Sequence, residues 1–406
     1  MNLLFSMVNL MVVIPLGVPN NIDKYFYNRE KELVKLNSFI DTLNHDVSNQ
    51  ILLTGFRGVG KSFLLKKLIS SLPNNILTAY VDVSNIYALQ KGNLTEEEIM
   101  NRLLEEMNKS IENHEGKIFK KTHNSVKNLI SKIKNHDYDF KEVGSILSIP
   151  IPQIKDNYQK LSQFVMEYPQ KIVDSSEGKI KGFVIVIDEF QFIGGLKSPE
   201  SFLWLFRSYS QKQDNVSYIF TGSTSTTSDM VDKLNGIDGA FGNRMIQFNL
   251  DPFTEEECKN YLKEKISEIK FDDNGFKRFY KCTRGYPAYI NSFCNIMSDS
   301  VIYDENKVVE EFYNKLDQIA VKWITLWSAL SEVEKEIITT LIDNEPLKWN
   351  ELVEKISFSE GTITKNLKKL RNKGIISNIS SLYKVEDYML SAWLKYRKDE
   401  DSYYPP

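Results

Sequence analysis

Histidine and cysteine are scarce in this chain of 406 residues. There are four histidines (His45, His114, His123 and His136) and three cysteines (Cys258, Cys282 and Cys294), with neither a CxxC nor an HxxxH spacing. That argues against a disulfide framework and against a spaced metal site, and leaves reduced thiols and surface imidazoles of a cytoplasmic protein. An excess of one charge is missing too. Lys and Arg number 51 against 54 Asp and Glu, a net charge of −3. No global positive field therefore recruits nucleic acid, although a single face can still be basic. No apolar run reaches membrane-spanning length, so no membrane partner is expected. Residues 1–18 come nearest, but Asn2, Ser6, Asn9 and Pro15 interrupt them and the first basic residue is Lys24. They lack the basic start and small-residue cleavage site of a secretory signal. They read as a strand or arm packed on the domain, or as an over-long start for which Met7 and Met11 are alternatives.

What is present is an ordinary globular balance, 42% hydrophobic and 26% charged, at a length that suggests two or three domains. The periodicity predicts a helix over 22–44, a buried strand over 50–54, a helix from Lys61 and a strand over 76–83. Residues 94–180 are rich in Lys, Asn and Glu. They show helical spacing at Ile99, Leu103, Leu104 and Met107, again near Val126, Leu129, Ile130 and Ile133, and a β-like stretch at 145–154. They read as an insertion within the first domain. Two further apolar strands, 182–187 and 216–221, flank a helix near 200–211. Wholly apolar strands alternating with helices indicate a parallel sheet covered on both faces. After Pro252 the strand signal fades and 254–318 reads as helical.

Gly55-Phe56-Arg57-Gly58-Val59-Gly60-Lys61-Ser62 fits the GxxxxGK[ST] phosphate-loop pattern between an apolar strand and an amphipathic helix. Glycines are required where backbone N–H groups must wrap a phosphate or where φ is positive. Lys61 is expected at the β- and γ-phosphates, the Ser62 hydroxyl on Mg²⁺, and the dipole of the following helix, from Phe63 on, behind the anion. The second half is the run 183–189, four aliphatics ending in Asp188-Glu189. Asp188 is expected to help hold Mg²⁺ and Glu189 to polarise an attacking water. The next strand ends in Thr221-Gly222-Ser223. A polar residue there, Ser223 before Thr221, senses the γ-phosphate if that strand lies between the two motif strands.

With these residues in place, the chain resembles the archaeal ATPase family of the STAND class, within the broader AAA+ group, over most of residues 15–396. Phe26-Tyr27-Asn28-Arg29-Glu30 is similar to the family's opening motif near the adenine pocket, which implicates Arg29. Gly55–Ser62 with Arg57 resembles its basic phosphate loop, and Asp188-Glu189-Phe190-Gln191 its acidic motif. Gly222-Ser223 resembles its sensor strand end. Phe241-Gly242-Asn243-Arg244 is similar to its tyrosine-glycine-arginine element, with an extra Asn. The resemblance implies a charge-stabilising role for Arg244, in cis or across a subunit contact. Gly285-Tyr286-Pro287 looks like the glycine-x-proline signature, whose proline packs beside the nucleotide. Arg284 beside it is either a phosphate contact or a surface arginine.

The C-terminal part carries three short helical patterns (331–342, 349–356, 362–373) and two short strands (375–379, 382–385), the order of a winged helix-turn-helix. In the third helix Ile363, Leu367 and Leu370 mark the core face. Lys365, Lys368, Lys369, Arg371 and Lys373 do not, and no acid occurs from Gly361 to Lys373. Such a helix offers Lys365, Lys369 and Lys373 to double-stranded DNA; it serves equally as a packing or protein-docking module.

The expected architecture is an α/β P-loop NTPase, an αβα core with a parallel sheet (about 1–250), a helical lid (251–326) and a winged helix (327–406). The expected ligands are ATP and Mg²⁺, the expected role an ATP-driven conformational switch with a protein partner or a second copy of the chain. A replication-initiator or helicase-loader protein of similar layout and a transcription regulator that only binds ATP are the rival readings.

Overall fold

The computed structural model describes residues 14–118, 140–142, 150–152, 158–222, 229–372, 374–379 and 381–405. The central sheet has five strands, β1 (Ile51–Thr54), β2 (Ile76–Asp82), β5 (Gly182–Asp188), β6 (Val216–Thr221) and β7 (Ile246–Asn249), in the order β2-β5-β6-β1-β7. Every pairing in it is parallel. A short antiparallel pair, β3 (Phe140–Glu142) and β4 (Pro150–Pro152), stands apart.

The side chains of β5 show why both sheet faces must be covered. All seven residues are buried. Phe183, Ile185 and Ile187 join one apolar cluster, Val184 and Val186 the opposite one. That is the two-residue period of a strand. The second face packs on the helices Glu30–Asp41 and Lys61–Ser71 through Leu36, Ile40, Leu64, Leu65 and Leu68. The first packs on Pro199–Ser210 and on two helices of the 94–180 segment, Glu96–Ile118 and Tyr158–Ser175. Leu103, Met107, Phe164 and Tyr168 place those two helices in the same core as the strands, so this part of the segment is one of the layers. The helical pattern at 126–133 and most of 145–154 lie outside the described residues.

One sequence expectation needs correction, and two elements were not foreseen. The helix expected over 22–44 is broken into Ile22–Tyr25 and Glu30–Asp41, because Asn28 and Arg29 take left-handed φ values of 50° and 90°. The edge strand β7 was not foreseen, since its pattern is half exposed and only four residues long. A last helix, Tyr388–Asp401, follows the wing, capped by the Asp387 carboxylate.

The lid is helical as expected, apart from the two-residue parallel pair β8 (Lys270–Phe271) and β9 (Ile302–Tyr303). The C-terminal region has helices Glu332–Asn344, Trp349–Lys355 and Glu360–Asn372 and a small antiparallel sheet, β10 (Leu347–Lys348), β12 (Leu382–Val385) and β11 (Ile376–Ile379), in that order. This is a winged helix. Gly374, at φ 68°, turns the chain out of the third helix. Lid residues such as Phe279 and Phe293 and winged-helix residues such as Ile337 and Leu367 belong to one continuous apolar cluster. Among the described residues, no helix is long and apolar enough to cross a membrane.

Candidate functional site

The loop between β1 and the helix Lys61–Ser71 takes its shape from three glycines. Gly55, Gly58 and Gly60 have φ of 145°, 88° and 98°, a region that other residues rarely adopt. A Cβ on Gly55 would stand 2.5 Å from the Leu250 carbonyl oxygen. Lys61 is buried, and its Nζ donates to the carbonyls of Gly55 (2.7 Å) and Phe56 (3.0 Å). Burial lowers its pKa from 10.5 to about 8, against the attraction of Glu189 and Asp188.

The sheet order puts β6 between β5 and β1, so the acidic strand end and the loop face each other across it. The Ser62 hydroxyl donates to Asp188 Oδ2 at 2.9 Å. The Tyr80 hydroxyl, from β2, donates to the same oxygen. Burial raises the Asp188 pKa, while these hydrogen bonds oppose the shift. Glu189 begins the turn out of β5 in a left-handed conformation, φ 54°, and its N–H donates to Asp188 Oδ1 at 2.8 Å. Thr221 ends β6 with its hydroxyl buried and without a hydrogen-bond partner among the described residues. Ser223 lies outside them.

One cleft runs over the loop. It is lined by Arg57, Gly58, Val59, Gly60, Lys61, Ser62 and Phe63, by Glu189, and by Arg29 and Pro287. These are all residues that the sequence marked. Gly55 and Phe56 sit behind it, presenting their carbonyls to Lys61. The family resemblance marks Phe26 and Tyr27 at the far end; what sequence reasoning missed there is Phe253 and Tyr261, which complete its aromatic surface. Phe26 stacks on Phe63 with ring centroids 6.2 Å apart, and Tyr27 lies 5.2 Å from Tyr261. Of the N-terminal stretch expected as a strand or arm, residues 14–18 line the same cleft, and residues 1–13 lie outside the described residues. Ile14 is fixed to the Asn295 side chain by two hydrogen bonds of 2.8 Å.

Arg29 is a brace as well as a wall. Its guanidinium donates to the Asp251 carbonyl at 2.5 Å and lies 4.8 Å over the Phe253 ring. Pro287 opens a lid helix whose second residue meets the loop directly: the Ala288 N–H donates to the Gly58 carbonyl at 3.2 Å. Arg284 turns away from the cleft and packs 4.0 Å over the Tyr388 ring. Arg244 is exposed and does not line the cleft. Lys365 and Lys369 are exposed on the third helix of the winged helix; Lys373 lies outside the described residues.

The sequence did not mark Tyr80, and the sheet explains its place. Tyr80 has the same parity as Ile76 on β2, and Asp188 the same as Val184 and Val186 on β5, and these residues all face the phosphate-loop helix.

A comparison with curated proteins finds no match. Among solved structures, a Walker-type ATPase of Pyrococcus abyssi is 17% identical, with a TM-score of 0.60 over 91% of this chain and 96% of that one. At that identity the likeness is one of fold. The Orc1 protein of Aeropyrum pernix, solved in complex with DNA, matches at 12% identity and a TM-score of 0.45, covering 94% of this chain and 95% of its own. A STAND protein with a tetratricopeptide repeat sensor from Pyrococcus horikoshii matches at 15% and 0.36, over 90% of this chain and 42% of its own. A winged helix-turn-helix DNA-binding family matches residues 330–377. The profile of an ATPase domain found predominantly in Archaea matches residues 26–293, two thirds of the chain and every element of the cleft but the arm, and the protein belongs to that family.

Proposed function

We propose that the chain is an ATP-hydrolysing conformational switch that couples its nucleotide state to the winged helix. The observation that carries this reading is the seat of the phosphate loop. Gly58 meets the lid through Ala288, while the Arg57 side borders a small cavity closed by Tyr289, Trp323 and Asp387. A change at the phosphates is thus felt by lid and winged helix at once. On this reading the chain divides at about 250 and 326 into core, lid and winged helix, and the three buried free cysteines suit a reducing cytoplasm.

The residues fit the ligand. The glycine cradle leaves room that a Cβ would fill, Lys61 holds a charge with no carboxylate bonded to it in the described contacts, and the aromatic end suits a purine face. Ser62 and Asp188 form the hard oxygen pair that would hold Mg²⁺. When bound, the ion neutralises charge on the phosphates. Lys61 leaves the two carbonyls for the phosphate oxygens. Glu189 orients a water, whose oxygen bonds to the γ-phosphorus as the bond to the bridging oxygen breaks. The water's proton passes to Glu189, and ADP and phosphate leave. Ser223 is proposed as the γ-phosphate sensor, with Thr221, whose unpartnered hydroxyl ends the same strand, as the other candidate. Since Arg244 is exposed, its charge-stabilising role is proposed across a contact with a second copy.

Two variants test the reading. Lys61→Ala is expected to abolish tight ATP binding in calorimetry while the chain still folds, as a cooperative thermal melt checks. Glu189→Gln is expected to bind ATP and to hydrolyse it only at a slow residual rate. Equal affinity in the first, or wild-type turnover in the second, would refute it. Turnover with duplex DNA present separates a DNA-coupled switch from one that serves a protein partner.

A further inference from the structure

Gln191 lies two residues beyond Glu189, in the 3-10 segment Phe190–Gly195, and is buried. Its amide nitrogen donates to a carboxylate oxygen of Glu189. That orientation is dictated by chemistry, because an ionised carboxylate only accepts. The other end of the amide, Oε1, is buried without a partner among the described residues. It occupies the space that Gly222 leaves at the end of β6, where a Cβ would stand 2.1 Å from Oε1. A buried carbonyl with no partner is costly, and a leucine of similar volume would not incur that cost. What the amide provides in return is its N–H donor.

Glu189 needs such a donor. It stands at a left-handed turn and lines the cleft. A flexible side chain there samples many rotamers, few of which aim an oxygen at a water beside the phosphate. We propose that Gln191 is a positioning residue for hydrolysis: its amide fixes one carboxylate oxygen of Glu189 and so sets the aim of the carboxylate toward the attacking water. The third helix of the winged helix contacts the same Phe190–Gly195 segment, and its Lys368 borders one groove with Gly194 and Leu196. This inference rests on the hydrolytic reading above.

The test is single-turnover hydrolysis of saturating ATP with Mg²⁺, in wild type, Gln191→Leu, Glu189→Gln and the double variant. Gln191→Leu is expected to slow the chemical step by about 10- to 100-fold, with ATP affinity and melting temperature unchanged. In the Glu189→Gln background the same change is expected to have no further effect, because Gln191 acts only through Glu189. Gln191→Met repeats the measurement if the leucine variant folds poorly. Equal slowing in both backgrounds, loss of ATP affinity, or an unchanged rate in Gln191→Leu would overturn the proposal while leaving hydrolysis itself standing. A wild type that does not turn over ATP would overturn the hydrolytic reading, and this inference with it.

Discussion

Lys61 shows how burial makes one side chain sensitive to its ligand. Its amine is held by two neutral carbonyls, and burial depresses its pKa from 10.5 to about 8. Below pH 8 the amine is charged in folded and unfolded chains alike, and the cost of keeping that charge buried is present in full. Between about pH 8 and 10.5 the unfolded chain holds the proton that the folded one has released, so stability rises with pH across that window. Nucleotide binding works in the opposite direction, since phosphate oxygens restore the charged form. ATP affinity is therefore expected to fall above pH 8, by up to about tenfold per unit, with binding taking up about one proton at pH 9. Calorimetry in two buffers of different ionisation enthalpy measures this directly. No proton uptake at pH 9 would mean that Lys61 is already charged before ATP arrives. The residues of this site differed in how far the sequence exposed them. Lys61, Ser62, Asp188 and Glu189 stand in motifs whose chemistry dictates their spacing. Tyr80, Phe253 and Tyr261 do not. Tyr80 reaches Asp188 only because β2 and β5 pair in register, Tyr80 beside Val186, and register is a property of the assembled sheet.

At the scale of elements, the turn at Gly285 seats the lid. Its φ is 74°, and a Cβ there would lie 1.9 Å from the Phe253 carbonyl oxygen. The Phe253 N–H donates to the Gly285 carbonyl at 2.8 Å, and three residues on, Ala288 meets the loop. Gly285→Ala must push the lid helix away from Phe253, at a cost of about 1–3 kcal/mol for the strained backbone alone. The variant is expected to melt earlier than wild type and to lose ATP affinity, because Pro287 and Phe253 both line the cleft. A thermal melt with and without ATP checks both; a lower melting temperature with full ATP affinity would show that the lid seat and the nucleotide site are independent. The wholly apolar strands β5 and β6 and the phosphate-loop helix were legible in the sequence because burial on both faces and a glycine-rich entry leave few alternatives. The strand β7 was not, since it is short and half exposed. The break at Asn28-Arg29 was hidden for another reason. Nothing local forbids a helix there, and the left-handed bend is fixed by distant partners, Glu257 for Asn28 at 2.6 Å and Asp251 for Arg29.

In the whole molecule the winged helix is set against the Arg57 side of the phosphate loop and against the turn after Glu189. From Trp323 a hydrogen bond of 2.9 Å leads to the Tyr289 hydroxyl, and one of 2.6 Å from there to Asp387. Asp387 caps the last helix, lies beside Arg57 in the same small cavity, and has its pKa raised by burial. On the other side, the third helix packs on Phe190–Gly195 and on Asp229–Asn235. Lys368 faces that groove, where Glu200 pairs with Lys233 at 2.5 Å, while Lys365 and Lys369 stay exposed. If those lysines meet DNA, each neutralised phosphate releases counterions, and affinity must fall steeply with salt. Lys365→Glu with Lys369→Glu is expected to abolish duplex binding and to leave ATP affinity intact, since neither residue lines the cleft. DNA that draws the third helix away from Phe190–Gly195 must also change ATP affinity. Linkage then fixes the size of the reverse effect: the factor by which ATP alters DNA affinity equals the factor by which DNA alters ATP affinity. Fluorescence anisotropy of a labelled duplex across a salt series, with ATP, with ADP and with neither, measures both. Binding that is equal in all three states would remove the coupling. No binding at low salt in any of them would make the winged helix a packing or protein-docking module, with the lysines serving only to solvate its outer face.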